Sequence, residues 1–257
     1  MQRPYPLNFH EQTQHILPGG SKLQLNLTKI EEFTLNNQMK INESKSKLMI
    51  FNKSRNYDFP PEISFDNGEL LECLEETKLL GIQIHSSLKW NSNTAAICTK
   101  SMSKMWLLRR MKLLKLEPSL ILDYYIKEIR PLAEQGVIVW NSGLTKAQIS
   151  DLEKIQKVAL LIILGDDYSN YDMACKKFGI ATLSSRRAQL FTNFAVKLFK
   201  SSRSEQYFTP AKQSARNGQI LVKENVCRTT RCYNAPHNYL NRLVNQNVTK
   251  ILNSKKK

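Results

Sequence analysis

The feature that most constrains the fold of this 257-residue chain is a change in the spacing of its apolar side chains near residue 91. Before it, apolar residues fall in short runs that partly alternate with polar ones, as in "EISF" (62–65) and "GIQIH" (81–85). This pattern is typical of strands. After it, apolar residues recur every three or four positions, which is the spacing along one side of a helix. The sequence therefore predicts an α+β fold with its strands in the first third of the chain.

The strand-like part is predicted to start with a helix, for which Ser21 is a plausible N-cap. "DNG" (66–68) is a strong signal for a hairpin turn between two strands. Residues 21–91 therefore predict a small antiparallel sheet edge with one helix, and residues 1–20, which hold three prolines, an irregular segment. The predicted elements of this part are a helix at 21–38 and strands at 48–51, 63–65 and 77–90.

The later part of the chain carries local signals for where helices begin and end. Pro118 suits the first turn of a helix, whereas Pro131 is expected to kink or break one. Thr145 and Gln148 have the spacing of a capping box. The predicted helices span 93–115, 117–130, 145–164, 184–201 and 238–252.

The net charge of +16 is unevenly distributed along the chain. Residues 86–130 carry nine basic and three acidic side chains, and residues 169–257 carry seventeen basic and three acidic ones. The two other stretches are slightly acidic. Basic blocks of this kind predict contact with a polyanion such as RNA or DNA. The alternative is a solvated basic surface that serves solubility.

Two regions follow from these patterns. Residues 92–165 are predicted to form a helical region, and residues 166–257 a basic C-terminal region that is partly disordered after residue 205. The first long helix is expected to present a basic side that follows phosphates. The basic residues of this predicted helix that we assign to nucleic-acid binding are Lys100, Lys104, Arg109, Arg110 and Lys112.

The chain is expected to be intracellular, either nuclear or cytoplasmic. It has no apolar run of about 18 residues that could span a membrane, and "MQRPYPLNFHEQ" lacks the apolar centre of a signal peptide. Five scattered cysteines argue against a disulfide framework. No membrane partner is expected.

The stretch "LLIILGDDYSNY" (160–171) places two adjacent carboxylates after an apolar run, as in many polymerase metal sites. Gly165, however, follows a predicted helix, where glycine commonly supplies the left-handed stop. No return strand follows Asp167, and a helix C-terminus disfavours a pair of carboxylates. Asp166 and Asp167 are therefore interpreted as part of a surface loop after a helix; a metal site is the weaker alternative.

Several short motifs, in order, resemble the region that follows the catalytic centre in reverse transcriptases of non-LTR retrotransposons. The resemblance covers about residues 25–200 and includes "LNNQMKINESKSKLMIF" (35–51), "LEETKLLGIQIHSSLKWNSN" (74–93) and "EQGVIVWNSGLT" (134–145). The matching residues are Asn42, Lys45, Ser46, Lys78, Leu80, Gly81, Leu88, Trp90 and Trp140.

This resemblance implies a palm edge followed by a helical thumb. By it, Lys45 would lie near the triphosphate as a general acid, with a solvated turn lysine as the alternative. Lys78 and Gly81 would belong to the primer grip, where glycine lets the backbone approach the primer. The alternative for Gly81 is an ordinary sheet-edge glycine.

In that family the metal-binding hairpin comes before these motifs, so here it would precede residue 35. The carboxylates before that point are Glu11, Glu31 and Glu32. We therefore expect a truncated reverse transcriptase that lacks the catalytic aspartates and does not polymerise alone, with Mg²⁺ needed only in the full-length family enzyme. Expected partners are RNA or DNA and the N-terminal part of such a polymerase. The alternative is a non-catalytic helical interaction protein, or a pseudogene product without a selected function.

Aromatic and thiol side chains add two further candidates. Trp90 and Trp106 have the chemistry to stack on bases, although tryptophan is more often part of a core. "CRTTRCYNAPH" (227–237) offers two cysteines and one histidine, but a zinc site needs a fourth ligand and other spacings. No cofactor is therefore predicted for this chain.

Overall fold

Helices and strands follow the order that the apolar spacing predicts. The structure is a computed structural model that describes residues 20–51, 62–211 and 222–247. Strands β1–β4 span Lys47–Leu48, Glu72–Cys73, Glu76–Leu79 and Ile82–His85. Helices α1–α6 span Gly20–Asn36, Asn91–Leu113, Pro118–Tyr124, Arg130–Glu134, Val137–Trp140 and Lys146–Leu164. Helices α7–α11 span Tyr171–Phe178, Leu183–Lys200, Ser204–Tyr207, Thr230–Tyr233 and Pro236–Gln246.

The chain divides into two compact units, Met1–Thr77 and Lys78–Lys257. This boundary lies inside the region 21–91, which the family resemblance implies to be one palm edge. The second unit takes in both the helical region and the basic C-terminal region. The fold is α+β and mostly helical, as expected.

In the first unit, α1 is tied to a tight turn. The side chain of Gln24 donates from Nε2 to the Ser64 carbonyl at 2.7 Å and accepts the Ser64 N–H at 3.0 Å. The "DNG" turn forms as predicted, because the Gly68 N–H donates to the Phe65 carbonyl and Ser64 forms an antiparallel bridge with Leu70. Among the described residues of this unit, Ile63 and Phe65 are the buried apolar ones.

The strands differ from the predicted antiparallel sheet. β1 and β2 pair in parallel over two residues each, and β3 and β4 form a separate sheet. The single strand expected at 77–90 is wrong: β3 and β4 are joined by the two-residue turn Leu80-Gly81. Both turn residues have positive φ, 49° and 86°, as a hairpin turn that follows strand twist requires. Glycine adopts this backbone at little cost, which explains where the strand ends.

The main core of the second unit lies between α2, α3 and α6. Its largest fully buried side chains include Trp140, Tyr125, Met105, Leu108, Ile121, Leu152, Ile155 and Leu160. The start of α6 confirms the predicted capping box. The Thr145 hydroxyl accepts the Gln148 N–H at 3.3 Å, and the Gln148 side chain accepts the Thr145 N–H at 2.8 Å.

Pro131 does not break the chain of helices between α3 and α4. A π-helical segment, Tyr125–Ile129, connects them, and the Arg130 N–H donates to the Tyr125 carbonyl. The wider turn leaves room for the proline ring. It also accommodates the hydrogen bond that proline, which has no N–H, cannot donate.

The C-terminal region contains helices that form a second apolar cluster. Within 206–211 and 222–247, several apolar side chains pack against α8. The buried residues of this cluster are Phe191, Ala195, Phe208, Val222, Leu240, Leu243 and Val244. The last helix, predicted at 238–252, ends at Gln246 with Asn247 as its C-cap, and residues 248–252 lie outside the described residues. None of the described helices is long and apolar enough to cross a membrane.

Candidate nucleic-acid interface

Helix α2 carries five basic side chains and no acidic one over its 23 residues. Its inner side packs Met105 and Leu108 into the core with no exposed surface. Because successive residues turn by about 100°, the five basic groups do not share one side. The structure separates them into two sets.

The first set makes contacts within the protein. Lys104 Nζ lies 3.0 Å from Glu128 Oε2 and 3.3 Å from the Glu128 carbonyl oxygen. Lys112 Nζ donates to the Ile163 carbonyl at 2.7 Å, close to the end of α6. The last carbonyls of a helix have no donor within the helix, so a cation there both satisfies one and complements the helix dipole. These two lysines therefore serve the fold.

The second set faces water. Lys100, Arg109 and Arg110 are exposed, and none of their side chains has a hydrogen bond or ion pair to another described residue. Trp106 lies between them with 59% of its surface exposed. Arg109 and Arg110 follow Trp106 by three and four positions, which makes both of them its neighbours on the helix surface. We call Trp106, Arg109 and Arg110 the outer α2 patch; Lys100 lies about 180° around the helix axis from Arg109, on another side of α2.

The outer α2 patch combines the two groups that bind single strands of nucleic acid. An exposed indole offers a flat surface on which any base can stack. Guanidinium groups bind phosphate oxygens through two parallel hydrogen bonds. Tryptophan is more often buried in a core, so the exposed Trp106 is a candidate for contact with a ligand.

The other two tryptophans are core residues. Trp90 is 6% exposed, and Trp140 is fully buried with its Nε1–H donating to the Gln135 carbonyl. By sequence alone, Trp90 and Trp106 are equal candidates for base stacking. A helical projection of 91–113 would have distinguished them, since Trp106 is one turn from Arg110 and opposite Leu108.

The residues that resemble a primer grip lie elsewhere. Lys78 is exposed on β3, and the following hairpin packs at the start of α2 through the Gln83 N–H, which donates to Asn93 Oδ1 at 3.2 Å. Arg109 lies about 24 Å farther along α2, at 1.5 Å per residue. The structure therefore does not gather Lys78 with the two arginines.

Gly81 faces another residue of its own chain. A Cβ atom at this position would lie 2.6 Å from Gln135 Nε2, which donates to the Leu80 carbonyl at 3.3 Å. The turn and this contact account for a glycine here. Lys45, in the first unit, is an exposed residue of a short 3₁₀ turn whose N–H donates to Asn42 Oδ1 at 3.0 Å.

Asp166 and Asp167 lie where the helix-stop interpretation places them. Gly165 follows α6 with φ 60°, and the two exposed aspartates form a short 3₁₀ turn. Asp167 pairs with Lys177 at 3.1 Å. Within the described ranges, no group of three or more His, Cys, Asp or Glu side chains is placed to hold a metal ion.

A buried carboxylate that the sequence patterns do not single out, Glu153, holds the start of α8. Glu153 accepts the Tyr171 O–H, the Leu183 N–H at 2.9 Å and the Ser184 N–H at 2.8 Å. It thus satisfies the free N–H groups at the start of α8. Burial, followed by the hydrogen bond to Glu153, raises the pKa of Tyr171. Arg187, one turn into α8, is buried, and this burial lowers its pKa.

Comparisons with protein-family models, curated proteins and solved structures find no match to this chain. The interpretation of the outer α2 patch therefore rests on the chemistry of its own side chains.

Proposed function

We propose that the chain binds RNA or DNA with little sequence preference, through the outer α2 patch. The observation that carries the proposal is the exposed Trp106 next to two arginines that have no partner among the described residues. Bases would stack on the indole, and Arg109 and Arg110 would each bind a phosphate. Lys100 lies on another side of α2 and is not part of this contact.

Charge on the rest of the molecule supports the same partner. Residues 169–257 carry a net charge of +14, seventeen basic against three acidic side chains. A polyanion that stacks on Trp106 would be attracted from a distance by this region, and salt would weaken that attraction.

The resemblance to non-LTR retrotransposon reverse transcriptases gives the proposal a context. In such an enzyme the helix that follows the primer grip belongs to the thumb, which holds the primer–template. We propose that 92–165 is such a thumb and that this chain alone does not extend a primer. The metal-binding hairpin of the family precedes the motifs that carry the resemblance, and Asp166 and Asp167 follow them. Primer extension by the purified chain with Mg²⁺ would refute this part.

Fluorescence anisotropy with labelled 20-nucleotide RNA and DNA, over a series of KCl concentrations, tests the binding site. Trp106→Ala should weaken binding by about 1–3 kcal/mol, because one stacked base is lost, and leave the salt dependence unchanged. The double variant Arg109→Gln/Arg110→Gln should weaken binding and reduce the salt slope by about 1.4, since two phosphate contacts are lost on a single strand.

A matched control removes the same charge elsewhere. Lys197→Gln/Lys200→Gln changes two exposed lysines of α8 and should have a smaller effect than the arginine pair. Equal effects of the two double variants would mean that net charge alone drives binding. A flat salt response in the unmodified chain would refute the proposed interface.

A second candidate is a protein-interaction role for the first unit. Its support is the apolar side of α1, where Leu25 is 53% and Leu35 is 78% exposed. A surface of this kind commonly marks a partner interface. If anisotropy shows no nucleic-acid binding while the chain melts cooperatively, this candidate becomes the better one. If neither holds, a product without a selected function remains.

A further inference from the structure

Cys227 and Cys232 lie side by side at the start of the C-terminal helices. Their sulfur atoms are 3.1 Å apart, and both side chains are partly exposed. Cys232 belongs to α10, where its N–H donates to Thr229 Oγ1 at 3.1 Å, and Cys227 precedes that helix. A disulfide requires about 2.05 Å between the sulfurs, so a movement of about 1 Å would close the bond.

Asn238 fixes this pair from α11. The Asn238 side chain is buried, and its Nδ2 donates to the Cys232 carbonyl at 2.7 Å. The same nitrogen lies 3.3 Å from Cys227 Sγ and 3.6 Å from Cys232 Sγ. One amide of α11 therefore contacts both thiols and keeps them adjacent. Helix α11 is itself anchored in the second apolar cluster. In the described residues, no third metal-ligating side chain joins them; His237 faces Asn241, 3.5 Å away.

We propose that Cys227 and Cys232 are a redox modification site that exchanges with low-molecular-weight disulfides of the glutathione type. In the first step, the thiolate of one cysteine attacks the small disulfide. A mixed disulfide forms, and one small thiol leaves with the proton that the cysteine gave up. In the second step, the other cysteine attacks the protein sulfur and releases the second small thiol. The two cysteines lose two electrons, and the small disulfide gains them.

The remaining cysteines serve as internal controls. Cys73 is exposed and has no second thiol beside it in the described residues, so its exchange would stop at the mixed disulfide. Burial raises the pKa of the Cys98 and Cys175 thiols, and the hydrogen bond with Cys232 raises the pKa of the Cys227 thiol, so the adjacency of the pair and not its pKa distinguishes it from these two controls. Adjacent thiols, in contrast, present the second reactant at a high effective concentration.

Peptide mapping of the full chain tests the proposal. The protein is equilibrated with glutathione and glutathione disulfide at several ratios, quenched in acid, alkylated and digested with trypsin. Because Arg228 and Arg231 lie between the cysteines, a bond between them links two separate peptides, 224–228 and 232–242. We expect this linked pair at a disulfide-to-thiol ratio at least about tenfold below that needed to glutathionylate Cys73.

Two outcomes would overturn the proposal. One is that Cys227 and Cys232 are recovered as alkylated free thiols, or carry separate glutathione groups, at ratios that modify Cys73. The other is that either cysteine pairs with a different one. The variant Cys232→Ser should accumulate a stable glutathione adduct on Cys227, because the resolving thiol is gone. The mapping of the unmodified chain decides the question even if this variant does not fold.

Discussion

The two units of the chain bury their apolar side chains to very different extents. Among its described residues the first unit buries Ile63 and Phe65, whereas the second builds one core around α2, α3 and α6 and a second around α8 and α11. Much of the apolar surface of α1 faces water; its exposed apolar residues are Leu23, Leu25, Ile30, Phe33 and Leu35. Buried apolar area is the main source of stability. The comparison teaches that buried apolar area stabilises the described part of the second unit far more than the described part of the first.

The largest expected difference between the units comes from removing one core side chain. Trp140→Ala should cost about 3–5 kcal/mol of unfolding free energy, because a fully buried indole leaves a cavity. Phe33→Ala, in α1, should cost under about 1 kcal/mol, since that ring is exposed. Urea unfolding followed by circular dichroism measures both. Equal costs would show that α1 is packed as tightly as the core.

The next effect concerns buried polar groups. Glu153→Gln should cost about 2–3 kcal/mol, because two N–H groups at the start of α8 and the Tyr171 hydroxyl then face an amide that offers one acceptor. The matched change in the first unit is Glu31→Gln, whose carboxylate accepts the Asp66 N–H at 3.0 Å. This change should cost under about 1 kcal/mol, since the amide oxygen of glutamine can still accept the Asp66 N–H. Thermal melts at pH 7 compare the two, and a larger loss for Glu31 would contradict the comparison.

Alkaline pH should destabilise the second unit through Tyr125. Burial raises the pKa of this phenol well above its ordinary value of 10.0. The unfolded chain therefore releases the proton first, so stability is fully present below pH 10 and falls as the pH rises beyond it. The slope is about 1.4 kcal/mol per pH unit for one such group. Tyr125→Phe should reduce the slope in urea titrations between pH 9 and 11.5. An unchanged slope in this variant would assign the loss to other groups.

The smallest predicted effect concerns cations. Lys112→Met should cost about 1 kcal/mol, because the Ile163 carbonyl loses its donor at the end of α6. Lys47→Met, which removes an exposed ion pair to Glu72 in the first unit, should cost under about 1 kcal/mol. Neither change should alter nucleic-acid affinity as much as Arg109→Gln/Arg110→Gln. Stability and anisotropy measured on the same samples separate the two roles.

Local signals in the sequence predict where helices begin and end. The capping pair Thr145 and Gln148, Pro118 in a first turn and Gly165 as a stop are each set by neighbouring residues, and the structure has all three. The hairpin of β3 and β4 was missed because one of its turn residues is Leu80, whose positive φ no local rule favours. The parallel pairing of β1 with β2 joins residues 25 apart, which alternation alone does not show.

The candidate site could be predicted only in part. The basic character of α2 follows from its sequence, and a helical projection would have placed Trp106 next to Arg109 and Arg110. The internal partners of Lys104 and Lys112 could not be predicted, because Glu128 and Ile163 lie 24 and 51 residues away in the sequence. Tertiary contacts decide which basic side chains stay free to bind a ligand. The spacing of charges along the sequence does not predict those contacts.

The π-helical segment Tyr125–Ile129 limits how the chain tolerates insertions and deletions. Ile121, Tyr125, Ile129 and Ala133 are four residues apart and all fully buried. In a regular α-helix, each four-residue step would drift by about 40° around the axis. The wider turn lessens this drift and keeps the four side chains directed at one core. Deleting one residue there would remove that correction and rotate everything that follows by about 100°. Ala133 would leave the core, so a shortened segment is a more severe change than most single substitutions nearby.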